Sequence, residues 1–152
     1  MSNSVHIAFD GLDEFSEHIK FAGKQMQGAD LAEIGELALT HPMREAQSRV
    51  PRLTSTLYRS IRIERLEVKQ HSALLALVAG GDHVPYAAIQ EFGGVIRPKR
   101  AKMLHWIDDA GNHVFANLVR IPAQPYMRPG WKAGLPALKS EIQTQYQNRM
   151  NR

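Results

Sequence analysis

The stretch IRIERLEVKQHSALLALVAGGD, residues 61–82, decides the fold. Ile61 and Ile63 alternate with polar residues, and Leu66 and Val68 then alternate on the other parity. A change of parity inside one strand predicts a β-bulge near Glu64–Arg65. Ser72–Ala79 (SALLALVA) is a nearly continuous apolar run, the pattern of a central strand, and Gly80-Gly81-Asp82 breaks it.

Helical spacing lies on both sides of this strand region. Upstream, Val5, Ile7 and Phe9 predict a short extended start, and Asp10-Gly11 a turn. Leu12, Phe15, Ile19, Ala22 and Met26 then recur at steps of three and four, so a first amphipathic helix is expected, ending at Gly28. Asp30 is the expected N-cap of a second helix carrying Leu31, Ile34, Leu37 and Ala38. Pro42 is expected to kink or split it, because proline lacks a donor and clashes with the preceding turn. The pattern resumes through Met43 and Ala46 and stops before Pro51.

Downstream, Lys102–Ile107 and His113–Ile121 flank DDAGN and predict a hairpin. Trp131, Leu135, Leu138, Ile142, Tyr146 and Met150 predict a long C-terminal helix, with Pro136 limiting how early it becomes regular. The order is helices, strands, helix. It implies an α+β fold: N-terminal helices, an antiparallel β meander with a hairpin, and a long C-terminal helix, as a single domain over residues 1–152.

The composition is that of a globular chain, 43% hydrophobic and 22% charged. Without cysteine, the chain has no disulfide, thiol nucleophile or thiolate metal site. The longest apolar run, Ala73–Ala79, is far short of the ~20 residues that span a bilayer, and MSNSVHIAFDGLDEF does not read as a signal peptide. A soluble protein made inside the cell, with no membrane partner, is expected. The formal charge of +4 is unevenly placed: residues 1–48 hold three basic and eight acidic groups, and residues 49–152 sixteen and seven. Such a split suits a phosphate-facing surface, and equally suits identical subunits whose acidic and basic faces meet.

No catalytic pattern emerges. Gly80-Gly81 and Gly93-Gly94 lack the lysine or helix context of a phosphate loop. His105 and His113, with Asp108 and Asp109 between them, straddle the expected hairpin, and solvated residues around a turn are the simpler reading than a metal site. No enzyme, cofactor or metal is expected. The run Arg97-Pro98-Lys99-Arg100-Ala101-Lys102 can contact phosphates, with Trp106 close by.

Four further stretches are specific in order and spacing: VPRLTSTLYRSI at 50–61, VPYAAIQEFGG at 84–94, IRPKRAKMLHW at 96–106, and VRIPAQPYMRPGW at 119–131. In them, Tyr86 and Phe92 read as large apolar anchors around Glu91, and Gly93-Gly94 lets the chain reverse into Val95-Ile96. Pro122, Pro125 and Pro129 predict a stiff extended strap carrying Tyr126, Met127 and Arg128 into Trp131 and the last helix. Tyr126 and Trp131 are expected to be largely buried, in their own subunit or against a neighbour, with Tyr126 as core, while Arg128 is expected to be a contact.

Together these stretches resemble the head–tail joining and tail-completion proteins of tailed bacteriophages, the lambdoid-siphophage tail-component family. Pro51, Thr54, Leu57, Ser60 and Ile61 follow the family's upstream segment. Ser55 stands where the family usually has glycine, which leaves open a positive φ at that turn. The resemblance implies a structural virion protein made in the bacterial host cytoplasm and placed at the phage neck or tail top. It would form a ring of identical subunits, a hexamer among the options. Its other partners would be a tail terminator or tube protein, head-completion or connector proteins and, transiently, packaged DNA. Arg97, Lys99, Arg100, Lys102 and Arg128 are the expected contact residues. Tyr86, Glu91, Phe92, Gly93, Pro125, Tyr126, Met127, Pro129 and Trp131 form the expected structural motif. The alternative is a small basic DNA-binding protein using the 97–102 loop.

Overall fold

The computed structural model describes residues 4–5, 26–51 and 55–151. The expected helix over Leu12–Ala22, the positions Ile7 and Phe9, and Thr54 lie outside them. The chain runs β1 (Ser4–Val5), α1 (Gly28–Arg49), α2 (Thr56–Ser60), β2 (Arg62–Lys69), β3 (Ser72–Gly80) and α3 (Ala87–Phe92). It continues through β4 (Gly94–Ile96), β5 (Leu104–Ile107), β6 (His113–Ala116), β7 (Val119–Ile121) and α4 (Met127–Met150). The architecture is α+β.

β3 is the central strand of a sheet ordered β1-β3-β2, antiparallel throughout. Arg62 pairs with Val78 and Lys69 with Ser72, and the register shifts between Arg65 and Glu67. The bulge that the parity change implies is therefore real, and Leu66 is the residue left out of the ladder. At the open turn before α2, Ser55 adopts φ 57°, so the left-handed conformation is kept with serine in place of glycine.

Helix α1 corrects the expected helix start and the expected effect of Pro42. Gly28 is the first residue of the helix, and Gln27, not Asp30, occupies the cap position. The Gly28 amide donates to the Gln70 carbonyl at 2.8 Å, and a Cβ at this position would lie 1.7 Å from the Lys69 carbonyl oxygen. Only glycine lets the helix start pressed against the β2–β3 turn. Asp30 falls in the first turn, where the helix dipole favours a carboxylate, and it pairs with Arg149 of α4.

The second correction is Pro42, which neither splits nor ends α1. Proline inside a helix costs about 3 kcal/mol, and here packing offsets it. Pro42 is buried, and a Cβ on Gly134 of α4 would fall 2.4 Å from its Cα. The two long helices meet backbone to backbone at this point.

Pro136 does not delay α4 either, since the helix is continuous from Met127. Pro129 lies in its first turn, where a missing N–H has no partner to lose. The extended strap is therefore shorter than expected and stops before Tyr126.

The core lies between α1, α4 and the sheet. Ala46, Val50, Leu57, Ile61, Leu77, Ala79, Val84, Ala87, Tyr126 and Met127 form its larger part, and Ala38, Leu39 and Leu138 a second cluster. Among the described residues no helix is long and apolar enough to cross a membrane.

Candidate assembly arm and its root

Phe92–Pro125 leaves this core and returns to it. No residue of this segment is buried, although it carries Val95, Ile96, Met103, Trp106, Ile107 and Phe115, all at least 40% exposed. The predicted strand His113–Ile121 is in fact two. His113–Ala116 pairs with Leu104–Ile107, while Val119–Ile121 crosses over to pair with Gly94–Ile96. The segment is thus an arm of two successive ladders, β4–β7 at its root and β5–β6 between those strands in the chain. Two-stranded ladders have little stability of their own in water, and exposed apolar patches mark contact sites.

Local chemistry holds the outer hairpin. The Asp108 carboxylate accepts from the backbone N–H of Ala110 (3.0 Å) and Asn112 (2.8 Å) and from the Asn112 side-chain amide (3.1 Å). These bonds hold its carboxyl below the usual aspartate range, with the Asn112 bonds contributing most. Gly111 takes φ +85° and closes the turn. His105 Nε2 and His113 Nδ1 face each other at 2.8 Å across the strands. No group of three or more potential metal ligands occurs among the described residues.

Arg97, Lys99, Arg100 and Lys102 all lie exposed between β4 and β5 and form no ion pair among the described residues.

The arm's two ends are bound together at one buried carboxylate. Glu91 is fully buried. Its Oε2 accepts from the backbone N–H of Tyr126 at 2.7 Å and Met127 at 2.8 Å, and its Oε1 from the Arg128 N–H and the Arg128 Nε, both at 3.1 Å. Helix α4 has no capping side chain of its own at Tyr126. Glu91 of α3 supplies that cap from the far side of the arm, placing a negative charge at the positive end of the helix dipole. A buried carboxylate is tolerated only with such full compensation. The Gln124 amide donates to the Gln90 carbonyl at 2.7 Å, and Gly93, at φ +70°, turns the chain outward beside Ala123.

Tyr126 behaves as expected of core: it is 1% exposed, and its hydroxyl donates to the Ala87 carbonyl at 3.3 Å. Burial, followed by the Glu91 charge and Tyr86, pushes this hydroxyl well above the ordinary phenol value. Met127 is buried, Pro129 half-buried and Pro125 exposed.

The two expected anchors around Glu91 lie at the surface. Phe92 is 50% exposed, and its ring lies 5.0 Å under the Arg128 guanidinium. Tyr86 is likewise exposed, at the start of α3. Trp131 is half-buried, packed against both core clusters. Arg128 is about half-exposed but already engaged within its own chain by Glu91.

Sequence reading placed Glu91 in the motif but missed its role as a cap. The available signal was one acid inside AAIQEFGG, a segment otherwise without charge. Comparison with protein-family models, curated proteins and solved structures finds no match to this chain.

Proposed function

We propose that this chain is a structural virion protein of the phage neck or tail top, joining head and tail by forming a ring of identical subunits and binding neighbouring neck and tail proteins. The single observation that supports the reading is the arm. It contains no buried residue, carries a row of half-exposed large apolar side chains, and is clamped at its root to a well-packed body. Partly exposed side chains of this number offer on the order of several hundred Å² of apolar surface, comparable to the ~800 Å² per partner of a standard interface. Three of the four sequence motifs, at 84–94, 96–106 and 119–131, fall on the arm and its root, so there the resemblance and the geometry concern the same residues. A ring would arise naturally if an arm on one subunit engaged a different surface on the next.

A second reading, a DNA-binding protein using the 97–102 loop, is favoured by the four exposed cations there, which form no ion pair among the described residues. The two readings separate by experiment. Light scattering and negative-stain imaging of the purified protein, alone and with neck and tail proteins, should show a closed ring. A strict monomer under all those conditions overturns the assembly reading. Affinity for duplex DNA that falls steeply with salt, with a log–log slope of about one per phosphate contact, would instead support the second.

A further inference from the structure

The arm carries a contact that only a proton can make. His105 and His113 occupy diagonal positions of the outer ladder, His105 opposite Phe115 and His113 opposite Ile107. Their ring planes agree within 4°, their centroids are 5.0 Å apart, and the facing nitrogens lie at 2.8 Å. Rings lying one over the other keep their atoms about 3.5 Å apart. These rings therefore lie side by side, the N–H of one aimed at the lone pair of the other.

The proton count sets what this contact tolerates. A neutral imidazole has one N–H and one lone pair, so two neutral rings make the bond. One added proton leaves a lone pair between them and makes the bond charge-assisted. A second added proton puts hydrogens on both facing nitrogens and like charges on both rings, and the contact becomes repulsive. A metal does not fit this gap: zinc needs about 2.0–2.1 Å to each nitrogen, and the two lone pairs point at each other.

Among the described residues no ion pair compensates the doubly charged pair. The hairpin's other charged groups are Asp108, Asp109 and Lys102. The Asp108 carboxylate is turned into its own loop, Asp109 and Lys102 are exposed, and no carboxylate among the described residues bonds either imidazole. The pair sits on β5 and β6, with the Phe115 ring stacked on His105 at 4.7 Å. The arm has no buried residue, so only the ladder's own hydrogen bonds and the Asp108–Asn112 turn oppose that repulsion.

We propose that His105–His113 is a proton-operated latch on the arm. Charging both imidazoles loosens the β5–β6 ladder that presents Trp106, Ile107 and Phe115, and removing either ring removes that acid response. As a regulator of docking, the latch rests on the assembly reading above. As a property of the hairpin, it stands alone.

The test is NMR on the full chain at about pH 8 and about pH 5, the range over which histidine changes charge, with association measured in the same buffers. Cross-strand signals between Leu104 and Ala116 and between Ile107 and His113 should weaken reversibly at the lower pH. Association should become about tenfold weaker, the size of an ordinary coupling between two sites. His113→Thr, a strand former that cannot charge, should keep the ladder at both pH values, and His105→Gln serves as a second variant should that one fail to pair.

An identical hairpin at both pH values overturns the latch, as does an unchanged acid response in both variants. If the hairpin opens on acidification and the protein never self-associates, the latch stands and the assembly reading falls. If association weakens while the hairpin signals stay, the latch falls and the assembly reading stands.

Discussion

The body and the arm are built from the same kinds of side chain put to opposite uses. In the body, Tyr126, Met127, Val78 and Leu57 are almost entirely withdrawn from water. In the arm, Ile107 and Phe115 remain 58% and 59% exposed. In the body β2 and β3 lie against α1, while in the arm β4 pairs with β7 and β5 with β6 in two-stranded ladders. Order in the body therefore comes from packing, and order in the arm from turn chemistry, ladder hydrogen bonds and the clamp at Glu91. A substitution should be felt globally in the first region and only locally, or by a partner, in the second.

The largest effect should come from Tyr126→Ala. Removing a fully buried aromatic typically costs about 3–5 kcal/mol, so chemical denaturation should show the isolated protein near or past its stability limit. A normal melt would place Tyr126 outside the cooperative core and erase the contrast between the regions.

Glu91→Gln comes next. The amide keeps an acceptor but loses the charge at the α4 terminus and its pairing with Arg128, for an expected loss of about 2–3 kcal/mol. This variant sharpens the comparison, because hydrogen exchange should show both α4's first turn and the arm's base loosening together. Loosening of one without the other would mean that the two are not joined through this carboxylate.

Tyr126→Phe should cost only about 1 kcal/mol at neutral pH, but its pH dependence is diagnostic. The folded state holds the Tyr126 proton more tightly than the unfolded chain does. That stability is fully present below about pH 10, the unfolded value, and is lost above it at up to about 1.4 kcal/mol per pH unit. Denaturation between pH 9 and about pH 11 should show a steeper alkaline decline for the natural protein than for the phenylalanine variant. Parallel declines would contradict the buried phenol.

The smallest stability effect belongs to the arm. Replacing Trp106, Ile107 and Phe115 with Ser should change global stability by no more than about 0.5 kcal/mol per site, as is usual for exposed positions. The same variant should lose ring formation in light scattering. A large drop in melting temperature would show that the arm packs on the body after all.

Much of this division is legible in the sequence, and the exceptions share a cause. The parity switch around Leu66, the apolar run of β3, the Asp108–Asn112 turn and the burial of Tyr126 all follow from local spacing. Local rules misjudge Pro42 because its tolerance is set by Gly134, a residue on another helix. They misjudge Gly28 for the same reason, since the Lys69 carbonyl that excludes a side chain there belongs to a distant turn. The break between Ala116 and Val119 is invisible because both halves have strand character, and only the return to β4 separates them. Glu91 was placed in the motif, but nothing near it in the chain indicates that it would cap a helix beginning at Met127.

The clamp also has a consequence for the arm's length. An excursion of about thirty residues carries a loop-closure entropy of roughly 3 kcal/mol, and halving or doubling it changes that figure by only about 0.6 kcal/mol. The ends are pinned by Glu91 and by the Gln90–Gln124 bond, and neither depends on what lies between them. How far the arm reaches is therefore nearly independent of how well the body folds, and the span to a neighbour can be lengthened or shortened by whole hairpins at small thermodynamic expense.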